Sequence, residues 1–224
     1  CNIYQMNFKI QTPQGNDISV YTSIIGEFNA YNITNTVIAA KYFGLTDEEI
    51  KHGIITFKGV PGRFQLVPTS KSLGFSVVVD FAHTPDALEK VLKTARMVSK
   101  GRVIIVFGAG GNADIGKRLM MGEVTSRYAD IVVITNDDPK DEEPEKIIED
   151  IKQGLDVRKN FIVIPDRKTA IDAAINFANR DDIVVIAGRG HEKFQLFSNG
   201  KKIKFNDYEV AGEIIENLKR SMKK

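Results

Sequence analysis

With 224 residues, 42% of them hydrophobic and 27% charged, the chain is long enough for one large domain, or one domain plus a piece of another, and has the make-up of a globular protein. A net charge of +2 with no basic tract gives no footing for nucleic acid, and no apolar run reaches membrane-spanning length. A single cysteine excludes an internal disulfide and a cysteine-rich zinc site, which fits a reducing cytoplasm. No signal peptide is visible. Cys1 is not a natural initiator, and it reads as a consequence of where the chain was cut rather than as a nucleophile.

The first stretch reads as a β-ribbon: FKIQT, a polar turn over 13–17, then ISVYTSI. In GEFNAYNITNTVIAAKYFGL, Val37, Ile38, Ala40 and Phe43 recur at helical spacing, and Gly44 ends the helix. Thr46 and Glu49 form a capping box for a short helix over 47–54. FKGVPGR, with two glycines and a proline, marks a hinge or domain boundary near 58–63. Apolar runs then alternate with helical segments. Strands are expected at 75–81, 103–111, 130–137, 161–165 and 182–190, with helices over 85–99, 116–128, 144–154, 167–179 and 207–222. Runs this rich in β-branched residues are expected to be buried on both faces, as in a parallel sheet covered by helices. The right-handed crossover rule makes this an α/β, doubly wound, Rossmann-like domain. A hairpin around Ser198-Asn199-Gly200 is expected to add an antiparallel edge strand.

Ligands of such sheets bind beyond the carboxyl ends of the strands. Four of the five expected strands run into polar or glycine-rich loops there. These are Asp80 to Pro85, Gly108 to Asp114, Asn136 to Lys140, and Gly188 to Glu192. Taken singly, each has a bland reading. GAGGNADIGK lacks the G-x-G-x-x-G spacing and follows an interior strand, which argues against a nicotinamide site. Asp137-Asp138 can be a polar strand end before the helix punctuation of Pro139. Asp80 can orient the His83 imidazole by a structural hydrogen bond. Asp141 to Glu145 fits a solvated helix start. His83 and His191 have no zinc-ligand spacing, so no protein-built metal site is expected.

Together, the ordered motifs FN-YN--N, GVPGR, DFAHTPDAL, VFGAGGN-D-GKR, TNDDP and AGRGHE resemble those of UDP-N-acetylmuramoyl-tripeptide synthetases, a branch of the Mur ligases. The match runs from about residue 26 to the C-terminus. The resemblance implies a three-domain, cytoplasmic, monomeric ligase. Residues 1–62 would be the end of the central ATP-binding domain and 63–224 the C-terminal amino-acid-binding domain, the remaining domains being missing partners. It implies that ATP, with magnesium in the complete enzyme, activates the terminal carboxylate of UDP-MurNAc-L-Ala-D-Glu as an acyl phosphate. The amine of a diamino acid then attacks it. Asn32 and Asn35 are implied at adenine, where an amide offers donor and acceptor. Arg63 and Asp80 are implied at the nucleotide and His83 near its phosphates. Asp137, Asp138, Pro139 and Lys140 are implied to hold the incoming amino acid, with Gly188 and Glu192 at its distal end.

Two departures from the family pattern stand out. Ala113 and Lys140 occupy positions where the family usually has arginines that anchor diaminopimelate, and lysine cannot reproduce a planar bidentate clamp. A different diamino acid, or a different anchoring, is therefore expected; lysine, ornithine and a lanthionine type are open, and Arg118 and Arg189 are spare cations that could compensate. No P-loop occurs, so the chain by itself is expected not to hydrolyse ATP productively, as a fragment or one part of a larger protein. The alternatives are a folylpolyglutamate-synthetase-like relative and a non-catalytic binding module.

Overall fold

The computed structural model describes residues 2–11 and 17–222, so Cys1 and nearly all of the expected turn at 13–17 lie outside the described residues. The chain divides into two compact units, Cys1–Val60 and Pro61–Lys224.

In the first unit, β1 (Met6–Ile10) pairs antiparallel with β2 (Ile18–Thr22). Alternation along β2 buries Ile18, Val20 and Thr22. Helix α1 (Glu27–Tyr42) stops where Gly44 takes a φ of +84°, a left-handed value that glycine adopts freely. Its buried face differs from the expected one. Ile33 and Val37 are buried, whereas Ile38 and Phe43 are 60% and 77% exposed. The i, i+4 pair Ile33/Val37 faces the unit's interior, and Ile38 lies about 100° further round the helix. Helix α2 (Asp47–Thr56) carries the expected capping box. Thr46 Oγ1 accepts from the Glu49 N–H, and the Glu49 carboxylate accepts from the Thr46 N–H at 2.8 Å.

The second unit opens with β3 (Gln65–Leu66) and a 3-10 segment, Pro68–Leu73. Then follow β4 (Ser76–Asp80), α3 (Pro85–Val98), β5 (Val103–Phe107), α4 (Gly116–Tyr128) and β6 (Ile131–Ile134). Next come α5 (Pro144–Lys152), β7 (Asn160–Val163), α6 (Arg167–Phe177) and β8 (Ile183–Ala187). A short hairpin, β9 (Phe194–Leu196) and β10 (Lys202–Lys204), precedes α7 (Asp207–Ser221). Six strands form one sheet in the order β3-β4-β8-β5-β6-β7, all parallel except β3. The chain steps outward from β5 to β7, and α6 then returns it to place β8 between β4 and β5. Reversing direction under the right-handed crossover rule puts α6 on the opposite face from α3, α4 and α5. Strand alternation sends Val77, Val79, Ile104, Val106, Val184 and Ile186 into one core with Ala170, Ile171, Ile175 of α6 and Ile214, Ile215 of α7.

Two expectations change. The antiparallel edge strand is β3, while β9 and β10 make a separate two-stranded sheet. The hairpin's hydrogen bonds go instead to the loop after β6: Lys140 N–H donates to Leu196 O (3.2 Å), and Leu196 N–H to Asp138 Oδ1 (3.0 Å). The fourth expected strand, β7, is not buried on both faces, because it forms the outer edge of the sheet; Ile162 and Val163 stay over a third exposed.

Candidate functional site

At the end of β4, Asp80 accepts from the Phe64 N–H (2.6 Å) and the Ala82 N–H (2.8 Å). This ties the segment that follows Gly62 to the strand. Burial raises the Asp80 pKa above its ordinary value, although the two N–H groups and Arg63 pull the other way. Asp80 does not orient His83, whose Nδ1 instead lies 2.8 Å from the Phe81 carbonyl. Both Asp80 oxygens are already directed at the backbone. The Phe81 ring is the centre of a small cluster. The Arg63 guanidinium lies 4.8 Å from its centroid, the His83 ring meets it edge-on at 4.7 Å, and the His191 ring lies 5.4 Å away. Three separate motifs meet here because glycine backbones touch. A Cβ on Gly62 would fall 2.3 Å from the His191 nitrogen.

At the end of β5, the loop lies directly on the one after β6. A Cβ on Gly108 would meet Thr135 O at 2.2 Å, and the Gly111 N–H donates to Asp138 O at 2.8 Å. Ala113 is exposed on this loop. Arg118, in the first turn of α4, is fully buried and holds Glu142 (2.8 Å), Asp150 (2.9 Å) and the Gly110 carbonyl (3.3 Å). Glu142 in turn accepts from the Asn112 N–H at 2.5 Å.

The ends of β6 and β8 share a buried charge cluster. Arg189 is fully buried, pairs with Asp138, donates to the Phe194 carbonyl, and lies 3.4 Å from Glu192 and 3.7 Å from Asp137. Neither Arg118 nor Arg189 is therefore a spare cation; both are enclosed and ion-paired. Arg167 holds Asp207 through two 2.8 Å contacts and also donates to Ala187 O (2.9 Å) and Asn136 O (3.3 Å). Gln195 of β9 donates to the Asp137 carbonyl at 2.6 Å. Asp137 Oδ2 is buried with no hydrogen-bond partner, and a Cβ on Gly188, at φ +115°, would fall 2.3 Å from it. Burial pushes the Asp137 carboxyl up against the pull of Arg167 and Arg189. Burial and the neighbouring carboxylates also push Glu192 up, against Arg189. Pro139 is buried and Lys140 half-buried, the latter at φ +52°.

Arg167, Asp207 and Gln195 escape a reading of the sequence, because FIVIP is the one strand end without a polar loop. A signal existed. Arg167 and Arg118 each sit in the first turn of a helix, where a cation opposes the macrodipole and so calls for a carboxylate partner. Asn32 and Asn35 belong to the first unit, exposed on α1 one turn apart and so on one face, with Asn32 Nδ2 3.4 Å from Asn29 Oδ1. Among the described residues, no group of three or more His, Cys, Asp or Glu side chains is arranged to hold a metal ion. None of the helices there is long and apolar enough to cross a membrane.

A doubly wound sheet with its polar loops gathered at one edge defines a ligand-binding α/β domain. Residues 62–190 match the family described as the Mur ligase, glutamate ligase domain, and the chain belongs to that family. It is 45% identical over 199 residues to UDP-N-acetylmuramoyl-L-alanyl-D-glutamate--2,6-diaminopimelate ligase 1 of Clostridium acetobutylicum, a match covering 89% of this chain and 41% of that protein. The ligase of Aquifex aeolicus with the same name, without the final numeral, is 44% identical over 202 residues, covering 90% and 41%. A solved structure of a ligase that carries this name too superposes with a TM-score of 0.72 at 35% identity, covering 97% of this chain and 44% of that one. The fold is shared at 15% identity with the UDP-N-acetylmuramate-alanine ligase of Thermotoga maritima, at a TM-score of 0.70. The chain thus spans about two fifths of the length of the curated relatives it matches.

Proposed function

We propose that this chain supplies the amino-acid-binding domain and part of the nucleotide site of an ATP-dependent ligase that adds a diamino acid to UDP-MurNAc-L-Ala-D-Glu in peptidoglycan precursor synthesis. A carboxylate oxygen of the acceptor attacks the γ-phosphorus of ATP and ADP leaves. The neutral amine then attacks the acyl carbon, phosphate leaves, and one proton is released from the nitrogen. The observation that carries this reading is the meeting of the β6 and β8 loops at Gly188, where the partly exposed Glu192 offers negative charge to an ammonium and the unpartnered Asp137 oxygen is enclosed behind Gly188. Asp137 to Lys140 hold the incoming amino acid, Ala113 lies on the facing loop, and Gly188 and Glu192 receive the distal end.

On the nucleotide side, Arg63 and His83 are exposed around the Phe81 ring and suit phosphate or ribose contacts. Asp80 reaches the nucleotide only through lone pairs left by Phe64 and Ala82; its first task is to hold the Arg63 segment. Asn32 and Asn35 present amides for adenine. Magnesium in the complete enzyme would neutralise phosphate charge. The described side chains form no cluster of three or more His, Cys, Asp or Glu residues that fits it.

The test is phosphate release by the complete ligase with ATP, magnesium and UDP-MurNAc-L-Ala-D-Glu, adding one amino acid at a time. Turnover switched on by a diamino acid is the expected result; turnover only with glutamate, or with none, overturns the reading. On the same reading, residues 1–224 alone release no phosphate above background.

A further inference from the structure

The GAGGNADIGK segment leads from β5 into α4 and ends on Lys117, in the first turn of that helix. A cation there opposes the helix dipole and calls for a compensating anion. Arg118, the next residue, finds two carboxylates within the fold. Lys117 is half-buried and has no ion pair among the described residues; its ammonium donates to the His83 carbonyl at 3.3 Å. That contact joins Lys117 to the cluster around Phe81. There His83 Nδ1 donates to the Phe81 carbonyl at 2.8 Å, which leaves Nε2 for another partner. The Arg63 guanidinium over the Phe81 ring is exposed and likewise has no ion pair among the described residues, and the exposed His191 ring lies on the same side chain. The approach is built into the backbone: Gly190 has a φ of +53°, and a Cβ there would fall 2.8 Å from that of Phe81.

The carboxylates nearest in the chain are committed elsewhere. Asp80 accepts from the Phe64 and Ala82 N–H groups, Asp86 pairs with Lys90 at 2.7 Å, and Asp114 accepts from the Gly116 N–H at 2.9 Å. Two cations and two imidazoles from four segments of the chain are thus linked by contacts with no carboxylate to neutralise them. Like charges gathered in this way repel until an anion enters among them. Resting on the ligase reading above, we propose that Arg63, His83 and Lys117 form one oxyanion site for the phosphoryl group in transit from ATP to the acceptor carboxylate, with Lys117 as its ligand from the GAGGNADIGK segment. The acceptor oxygen bonds to the γ-phosphorus, the bond from that phosphorus to the β,γ-bridging oxygen breaks, and its electron pair leaves on ADP. Lys117 and Arg63 make and break no covalent bond; they donate hydrogen bonds to the peripheral oxygens, which carry the negative charge.

The experiment compares the complete ligase with its Lys117→Met and Lys117→Arg variants, using ATP, magnesium, UDP-MurNAc-L-Ala-D-Glu and the diamino acid that gives turnover. The readouts are kcat, KM for each substrate, inhibition by inorganic phosphate, and the urea midpoint. Lys117→Met is expected to lower kcat/KM for ATP by about ten- to a hundredfold and to weaken phosphate inhibition, with KM for the amino acid and for the UDP-linked acceptor within about twofold. Lys117→Arg keeps the charge and is expected to recover most of the loss. Lys117 holds one backbone contact, so the urea midpoint is expected to stay near that of the parent. An unchanged kcat/KM for ATP in Lys117→Met overturns the proposal. So does a loss that Lys117→Arg does not recover and that comes with a lowered urea midpoint, which would make Lys117 a brace for the His83 segment. A change confined to KM for the amino acid or for the acceptor assigns the ammonium to a carboxylate of that substrate, and also overturns it; in all three cases the ligase reading stands. A parent enzyme that releases no phosphate with any diamino acid overturns the ligase reading, and this proposal with it.

Discussion

Single atoms decide how close the loops at the sheet edge can come. Gly188 has a φ of +115° and leaves no room for a methyl group in front of Asp137 Oδ2. Gly188→Ala is expected to cost about 1–3 kcal/mol, read from urea unfolding. Gly212 gives the opposite sign. It lies inside α7 with no atom within 4 Å of an added Cβ, so Gly212→Ala is expected to stabilise by about 0.5–1 kcal/mol in the same assay. Arg167 and Asp207 are both wholly enclosed. Removing only the guanidinium, as in Arg167→Met, strands a buried carboxylate and is expected to cost about 3–5 kcal/mol. Adding Asp207→Leu should recover part of that loss, because the orphaned charge goes with it; a double variant no more stable than the single one would mean that Arg167 acts chiefly through Ala187 and Asn136.

Among the elements, α2 and the β9–β10 hairpin show what a local signal can and cannot do. The capping box of α2 is closed within four residues, so its chemistry and its geometry coincide. Thr46→Ala is expected to lower the stability of the first unit by about 1 kcal/mol, visible as a shift in its thermal midpoint. The turn at Ser198-Asn199-Gly200 likewise marks a hairpin. Its three-residue strands are too short to choose a sheet edge by themselves, and the choice is made by Asp138, Gln195 and the Lys140 backbone. The hairpin consequently acts as a brace on the loop after β6 rather than as an extension of the sheet. Gln195→Ala removes the donor to the Asp137 carbonyl, and a cost of about 1 kcal/mol is expected in the same unfolding assay.

Over the whole molecule, acid stability has a direction set by paired carboxylates. Burial pushes Asp182 up, but the Arg102 guanidinium and the Asn179 and Arg102 N–H groups outweigh it and leave its pKa below the ordinary 3.8. A carboxylate with a depressed folded pKa contributes stability that is complete above the unfolded value and lost as pH falls through the folded one. Asp182→Asn is therefore expected to flatten the fall of the urea midpoint below about pH 4, with lower stability at neutral pH. An unchanged acid limb would assign that fall to other groups. Asp80 works in the opposite sense, since its raised pKa takes stability away as pH climbs through it.

The alternation of apolar runs and helical periods, the capping box and the loops at four strand ends were all legible in the sequence. Each depends on residues near one another in the chain, where spacing and backbone preference carry the information. Which face of α1 is buried, which segment becomes the antiparallel edge, and which arginines are enclosed were decided only by tertiary structure. Arg118 and Arg189 look like free cations in the sequence because nothing local marks their carboxylate partners. Glu142 and Asp150 lie 24 and 32 residues from Arg118, and Asp138 lies 51 from Arg189. Burial in the low-dielectric space between packed loops turns those distant pairs into fixed ones.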